Sequence, residues 1–173
     1  VKKAGRIIKK GVGLGTLDET RNMTCNGDVF GRPLGGALTM GGREFTHVAG
    51  PQRKDARADA NIVARLVERG TMALPAFGAD SGQVPGSAGR GRIAGPPPQS
   101  AEEWLALAVL YMALLTVSCA DCLGASRRVI LDGSYLGDPL YGSLVAALRP
   151  GVETLVNQES CGVAAGAALL CSH

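Results

Sequence analysis

The sequence predicts an α/β fold whose second half is laid out on a parallel sheet. Two strand–helix units follow one another: Arg128-Val129-Ile130-Leu131 and then a helix from Asp138, and Val152 to Val156 and then a helix from Ser160. Strands joined through a helix run parallel, and such crossovers are right-handed. Ahead of them, Trp104 to Ala120 is a run of 17 residues without a charge, which reads as a core helix.

Each element carries its own signals. Residues 11–50 hold many glycines, Gly35-Gly36 and Gly41-Gly42 among them, and read as loops and short strands. In 58–69, Ile62, Val63, Leu66 and Val67 recur at helical spacing, and Gly70 stands where that helix should stop. Residues 78–99 carry six glycines and then Pro96-Pro97-Pro98, so they are expected to be a loop that borders a cleft or is mobile. Ser100 and Glu103 fit a capping box, in which hydroxyl and carboxylate each take a free backbone N–H. The apolar run continues to Leu123, and Gly124 suits a left-handed C-cap. Asp138 followed by Pro139 is a helix start, with Leu140, Leu144, Val145 and Leu148 on one face and Pro150-Gly151 as its end. The last helix turns Val163, Ala164, Ala167, Ala168 and Leu170 inward.

At 173 residues the chain is long enough for one domain with a sizeable core. A net charge of +3 is too small to argue for nucleic acid. Lys2, Lys3, Arg6, Lys9 and Lys10 cluster, but no aromatic residues interleave with them, so residues 1–13 read as a solvated basic tail. Five cysteines without a secretion signal imply a reducing cytoplasm and free thiols. Cys119 and Cys122 form a C-x-x-C near the end of the long helix, where the dipole does not activate a thiol, and one such pair is half a zinc site; buried structural thiols are expected. Two readings of residues 104–120 compete, a single membrane span and a buried helix. The run falls short of the roughly 20 apolar residues a span needs and contains Tyr111, Thr116 and Ser118, which favours the buried helix.

Ligands of open α/β sheets bind beyond the carboxyl ends of the strands. Here those ends are the turns 132–138 and 157–162. Gly133 in Asp132-Gly133-Ser134 has no Cβ to keep a ligand off the backbone. Glu159-Ser160-Cys161-Gly162 opens a helix, whose free N–H groups favour an anion. The two turns can flank one nucleotide, or they can be ordinary tight turns. Gly11, Gly13 and Gly15 do not complete G-x-G-x-x-G, because Thr16 stands in place of the last glycine; there is no G-K-[ST] and no G-x-S-x-G.

Val129 to Tyr141, with its strand, its Asp132-Gly133-Ser134 turn and its helix start, resembles the adenosine motif of FGGY carbohydrate kinases. Asp132 replaces the first of the family's usual paired glycines. Glu159 to Leu170 resembles the family's closing helix. Asp28-Val29-Phe30-Gly31-Arg32-Pro33 and Met40-Gly41-Gly42-Arg43-Glu44-Phe45 resemble a fuculokinase- or rhamnulokinase-like subgroup. The likeness covers residues 14–171.

It implies the C-terminal lobe of an actin/Hsp70-like (ribonuclease H-like) ATPase fold, partial over 14–173, with 1–13 outside the likeness. It also implies ATP and Mg2+ as cofactors, nucleotide and sugar as substrates, and transfer of the γ-phosphate to a sugar hydroxyl with an aspartate base. Asp132, Gly133, Ser134, Asp138, Glu159 and Gly162 are the implied nucleotide-site residues. The catalytic aspartate, the sugar-binding lobe and the Ser/Thr-Gly phosphate loop belong N-terminal to Leu14 in that family, and Val1 to Gly13 shows no such loop. The chain is therefore expected to be a cytoplasmic fragment, incomplete at its N-terminal side, that lacks its partner lobe and is inactive alone.

Overall fold

The computed structural model describes residues 5–10, 17–28, 30–51, 55–125, 127–132, 138–157 and 168. In chain order the elements are β1 (Gly5–Lys10), a 3-10 turn (Glu19–Arg21), β2 (Met23–Gly27), β3 (Pro33–Thr39), α1 (Gly41–Ala49), α2 (Ala60–Glu68), β4 (Met72–Leu74), β5 (Arg92–Ala94), α3 (Ala101–Cys122), β6 (Arg128–Leu131), α4 (Pro139–Leu148) and β7 (Glu153–Val156). They form an antiparallel sheet in the order β1-β3-β2, a small antiparallel β4-β5 ribbon, and a parallel β6-β7 pair.

The core is built round α3. Leu105 to Ala113 are all buried there, and α1, α2 and α4 pack against the helix from different sides. Among the described residues α3 is the one helix long and apolar enough to cross a membrane, and most of its surface is instead covered by the chain itself. An apolar helix with no polar face fits the centre of a domain for the same reason it fits lipid. Its capping box forms with one change. Ser100 Oγ accepts from the Glu103 N–H at 3.3 Å, but the Glu103 carboxylate reaches the N–H of Gln99, at 2.8 Å, rather than that of Ser100. Arg69 also holds Glu103, at 2.8 Å, and ties α2's end to α3's start. At the far end Gly124 takes φ +61°, the predicted left-handed position.

The β6-α4-β7 unit is as expected: two parallel strands in register from Arg128↔Glu153 to Leu131↔Val156, joined through a helix. Asp138 caps α4 by accepting from the Leu140 N–H at 2.9 Å, with Pro139 in the first turn. β6 is not buried on both faces, however. Val129 and Leu131 are buried towards the core while Arg128 and Ile130 are exposed, because among the described residues a helix, α4, covers the face that bears Leu131. The helix expected from Ser160 lies outside the described residues, apart from Ala168, which is helical.

The first half holds more structure than the sequence suggests. Gly5–Lys10, expected as part of a basic tail, is a strand paired with β3 from Gly5↔Thr39 to Lys10↔Leu34. Ile7-Ile8 gives it the β-branched residues that its flanking charges obscure. Residues 41–49, expected as loop, are α1. Glycines disfavour a helix interior by about 1 kcal/mol each, but Gly41 and Gly42 sit in the first turn, and burial of Val48 and Ala49 against α3 outweighs them. Arg92–Ala94, inside the predicted 78–99 loop, pairs with β4. The rest of that loop is pinned: Asn22 Nδ2 donates to Asp80 at 2.8 Å, Arg21 Nε donates to the Gln83 carbonyl at 3.2 Å, and the buried Gln83 side chain donates to the Arg21 carbonyl.

Buried thiols are borne out at Cys119, which is fully buried among Met23, Ala37 and Leu123. Burial first, and then the neighbouring Cys122, push its thiol up to about 12, against the opposing pull of Arg21. Burial likewise raises half-buried Cys122. A pKa near 12 leaves about one thiol in ten thousand ionised at pH 8. Iodoacetamide at pH 8 should therefore modify Cys25 and spare Cys119 until the chain unfolds, as peptide mass spectrometry would show. Labelling of Cys119 at the rate of Cys25 would contradict its burial.

Candidate functional site

The parallel pairing brings together the two strand ends singled out from the sequence. Asp132 follows β6 and Asn157 follows β7; the Asn157 N–H donates to the Leu131 carbonyl at 2.9 Å, and Asn157 Nδ2 donates to Asp132 Oδ1 at 3.4 Å. Asp132 is exposed. Asp138, the other described candidate, is turned inward to its own helix: its Oδ1 accepts the Leu140 N–H, which makes it a cap. Gly133, Ser134, Glu159 and Gly162 lie outside the described residues.

A second feature escaped the sequence reading. α1 begins at Gly41-Gly42, and Met40 before it makes no side-chain capping bond; its carbonyl takes the Arg43 N–H at 2.8 Å, so in the first turn it is the Gly41 and Gly42 N–H groups that lack a capping side chain. Beside this end is an open cavity of about 360 Å³ lined by Gly42, Arg43, Thr46, His47, Phe77, Gly78 and Ala79. Arg43 and His47 lie one turn apart on its α1 side and are exposed. Glycines, a helix N-terminus without a side-chain cap and a guanidinium suit an anionic group. The glycine pair was visible in the sequence, but without a recognised helix it had no N-terminus to mark.

Behind two of these lining residues, Phe77 and Gly78, is Glu44, a buried residue 3% exposed. Its Oε2 accepts from the Phe77 N–H at 2.9 Å and from the Tyr111 hydroxyl at 2.7 Å, and its Oε1 accepts from the Gly78 N–H at 2.7 Å. One buried carboxylate thus joins α1, α3 and the 77–78 backbone. Burial, followed by this bond to Glu44, raises the Tyr111 phenol far above its ordinary value. The spacing Glu44–Val48 puts the charge on the inward face of α1, a signal legible once the helix is known.

Mg2+ in phosphoryl-transfer sites is held by one or two carboxylates together with phosphate and water oxygens. Among the described residues no three His, Cys, Asp or Glu side chains gather to hold a metal. Exposed Asp132 fits a single carboxylate contact to a nucleotide-borne ion, whereas Asp138 is taken up by its cap.

The model of the family "Carbohydrate kinase FGGY, C-terminal domain" matches residues 6–173. The match begins inside β1, ahead of the boundary at residue 14 expected from the sequence. No curated protein matches the chain significantly. Among solved structures it is similar to a carbohydrate kinase from Novosphingobium aromaticivorans, with 29% identity and a TM-score of 0.75 over 91% of this chain and 35% of that one. The chain thus spans about a third of that kinase's length.

Proposed function

This chain belongs to the FGGY carbohydrate kinase C-terminal domain family and has its α/β kinase-like fold; on that premise we propose that it is the nucleotide-side part of an ATP-dependent sugar kinase. In this reading the fold is an actin/Hsp70-like lobe, and ATP with Mg2+ binds beyond the carboxyl ends of β6 and β7. An N-terminal lobe supplies the sugar and the catalytic aspartate, and the γ-phosphate passes to a sugar hydroxyl in the cytoplasm. The observation that carries the site is the meeting of Asp132 and Asn157 at the ends of two parallel strands joined through α4. The 28–33 and 40–45 segments support a fuculokinase- or rhamnulokinase-like subgroup. Phosphoryl transfer needs both substrates positioned and the phosphate charge neutralised. A chain with the nucleotide side alone binds ATP weakly and does not turn it over.

The uncapped start of α1 with Arg43 favours a second position for the phosphates, at the 360 Å³ cavity rather than at the 159–162 turn. Calorimetric titration with Mg-ATP and with adenosine tests both. Wild type should bind ATP with a dissociation constant on the order of 0.1–1 mM, or about −4 to −5.5 kcal/mol. Gly133→Val, which places a side chain where the resemblance puts adenosine, should weaken both ligands about tenfold or more, a change of about 1.4 kcal/mol or more. Arg43→Ala should weaken ATP and leave adenosine unchanged if the phosphates lie at α1. Tight binding that survives Gly133→Val would overturn the β6–β7 site, and sugar-dependent ATP turnover by this chain would overturn its dependence on a second lobe.

A further inference from the structure

Two walls meet at the α1 cavity. One is α1, with Gly42 and Arg43; the other is the 77–79 backbone, with Phe77, Gly78 and Ala79. Away from α1 the second wall is held by backbone bonds. The Gly91 N–H donates to the Ala76 carbonyl at 2.8 Å, and the Gly89 N–H to the Gly78 carbonyl at 2.7 Å. Towards α1 it is held by Glu44, the residue next to Arg43. Glu44 takes the Phe77 N–H on Oε2 at 2.9 Å and the Gly78 N–H on Oε1 at 2.7 Å.

A carboxylate is a costly choice for this bridge. Glutamate is seldom buried, and a negative charge beside a phosphate site opposes the phosphate. What the carboxylate supplies is acceptors. It has two oxygens and no donor, and three donors converge on it, the two backbone N–H groups and the Tyr111 hydroxyl at 2.7 Å. A glutamine of the same size has one acceptor oxygen, and its NH2 would face an N–H. Space is equally tight. A Cβ on Gly78 would lie 3.0 Å from Glu44 Oε1, the end of a side chain that these three bonds hold in place.

We propose that Glu44 is a positioning residue for ATP: it fixes the 77–79 wall against α1 and so sets the opening in which Arg43 meets the phosphates. The inference rests on the reading that places the phosphates at α1. Arg43 and Glu44 are consecutive, so the phosphate contact and the clamp are carried by one turn of one helix. Binding groups act well only when their support holds them to within about 0.5 Å of the productive geometry. A wall released from Glu44 no longer meets that demand.

Calorimetric titration with Mg-ATP and with adenosine is the test, at a temperature where circular dichroism shows each variant folded. Glu44→Gln should weaken ATP about fivefold or more, the loss of about one hydrogen bond, and leave adenosine within about twofold. The direction is decisive, because acting through charge alone Glu44→Gln should tighten ATP. Gly78→Ala keeps the charge but pushes the wall from the carboxylate, and should weaken ATP by a similar factor; it carries the test if Glu44→Gln fails to fold. Tyr111→Phe leaves both backbone bonds to Glu44, so it should lower stability and leave ATP affinity unchanged. A merely structural role would make ATP affinity follow stability through all three variants, and that result would overturn the proposal. Glu44→Gln and Gly78→Ala that bind ATP as wild type does, or more tightly, beside an Arg43→Ala that weakens it, would overturn this inference and leave the α1 position standing. An Arg43→Ala that leaves ATP unchanged would overturn the α1 position and this inference with it.

Discussion

Glu44→Ala is expected to lower the unfolding free energy by about 3–5 kcal/mol, because it removes the one carboxylate that accepts from three donors inside the protein. The Phe77 and Gly78 N–H groups and the Tyr111 hydroxyl would all lose their acceptor inside the protein. Each orphaned buried donor costs about 1–3 kcal/mol. For a chain of this length that is a fall in melting temperature of about 10 °C. Tyr111→Phe removes one donor and leaves Glu44 its two backbone partners, so it should cost only about 1 kcal/mol. The same pair gives a pH signature. The Tyr111 phenol is raised in the folded chain and ordinary in the unfolded one. Above about pH 10 the unfolded state ionises first and stability falls as pH rises. Tyr111→Phe should remove its share of that alkaline slope, measured by urea melts between neutral pH and pH 11. Glu44→Ala as stable as wild type would show that the carboxylate does not hold the 77–78 loop.

The elements legible in the sequence are those whose signals are local. Ser100, Gly124, Gly70 and the Asp138-Pro139 start each act within a few residues of themselves, and α2, α3, α4, β6 and β7 stand where those signals put them. Parallel pairing of β6 with β7 followed from connection length alone. What was missed depends on partners far along the chain. α1 begins at a glycine pair and is held by α3, about sixty residues later. The 78–91 loop is glycine-rich yet fixed by Glu44 and by the turn before β2. The alternation of β6 was hidden because Val129-Ile130-Leu131 is apolar throughout, and it is the covering by α4, among the described residues, that separates Leu131 from Ile130. The candidate site divides in the same way. Sequence located the strand ends at Asp132 and Asn157, while the α1 cavity came into view only with the fold.

Three glycines of the pinned loop separate backbone strain from lack of space. Gly89 has φ +66° and open surroundings, so Gly89→Ala meets strain alone and should cost about 1–2 kcal/mol, the usual penalty of the left-handed region. At Gly91 φ is ordinary, but a Cβ would lie 2.5 Å from Phe77 Cγ and 2.6 Å from the Phe77 backbone. Backbone cannot swing aside as a side-chain tip can, so Gly91→Ala should cost about 1–3 kcal/mol by overpacking. Gly95 combines both: φ +76°, and a Cβ that would overlap the Gly70 carbonyl. That carbonyl belongs to the turn after α2, where the Thr71 hydroxyl donates to the Pro96 carbonyl at 2.6 Å and closes the base of the β4-β5 ribbon. Gly95→Ala should therefore be the most damaging, at about 3–5 kcal/mol, with a melting temperature lower by about 10 °C. Gly91→Ala has a further mark. Displacing Phe77 moves the N–H that Glu44 accepts and the ring that meets Tyr111 edge-on at 5.8 Å. Its effect should overlap with that of Glu44→Ala and fall short of additivity by about 1 kcal/mol in a double-mutant cycle, whereas Gly95→Ala and Glu44→Ala should add. Thermal melts of the four single variants, Glu44→Ala among them, and of the two double variants decide it. A Gly95→Ala variant no worse than Gly89→Ala would show that the Gly70 turn yields, and full additivity of Gly91→Ala with Glu44→Ala would show that Phe77 does not transmit the change to Glu44.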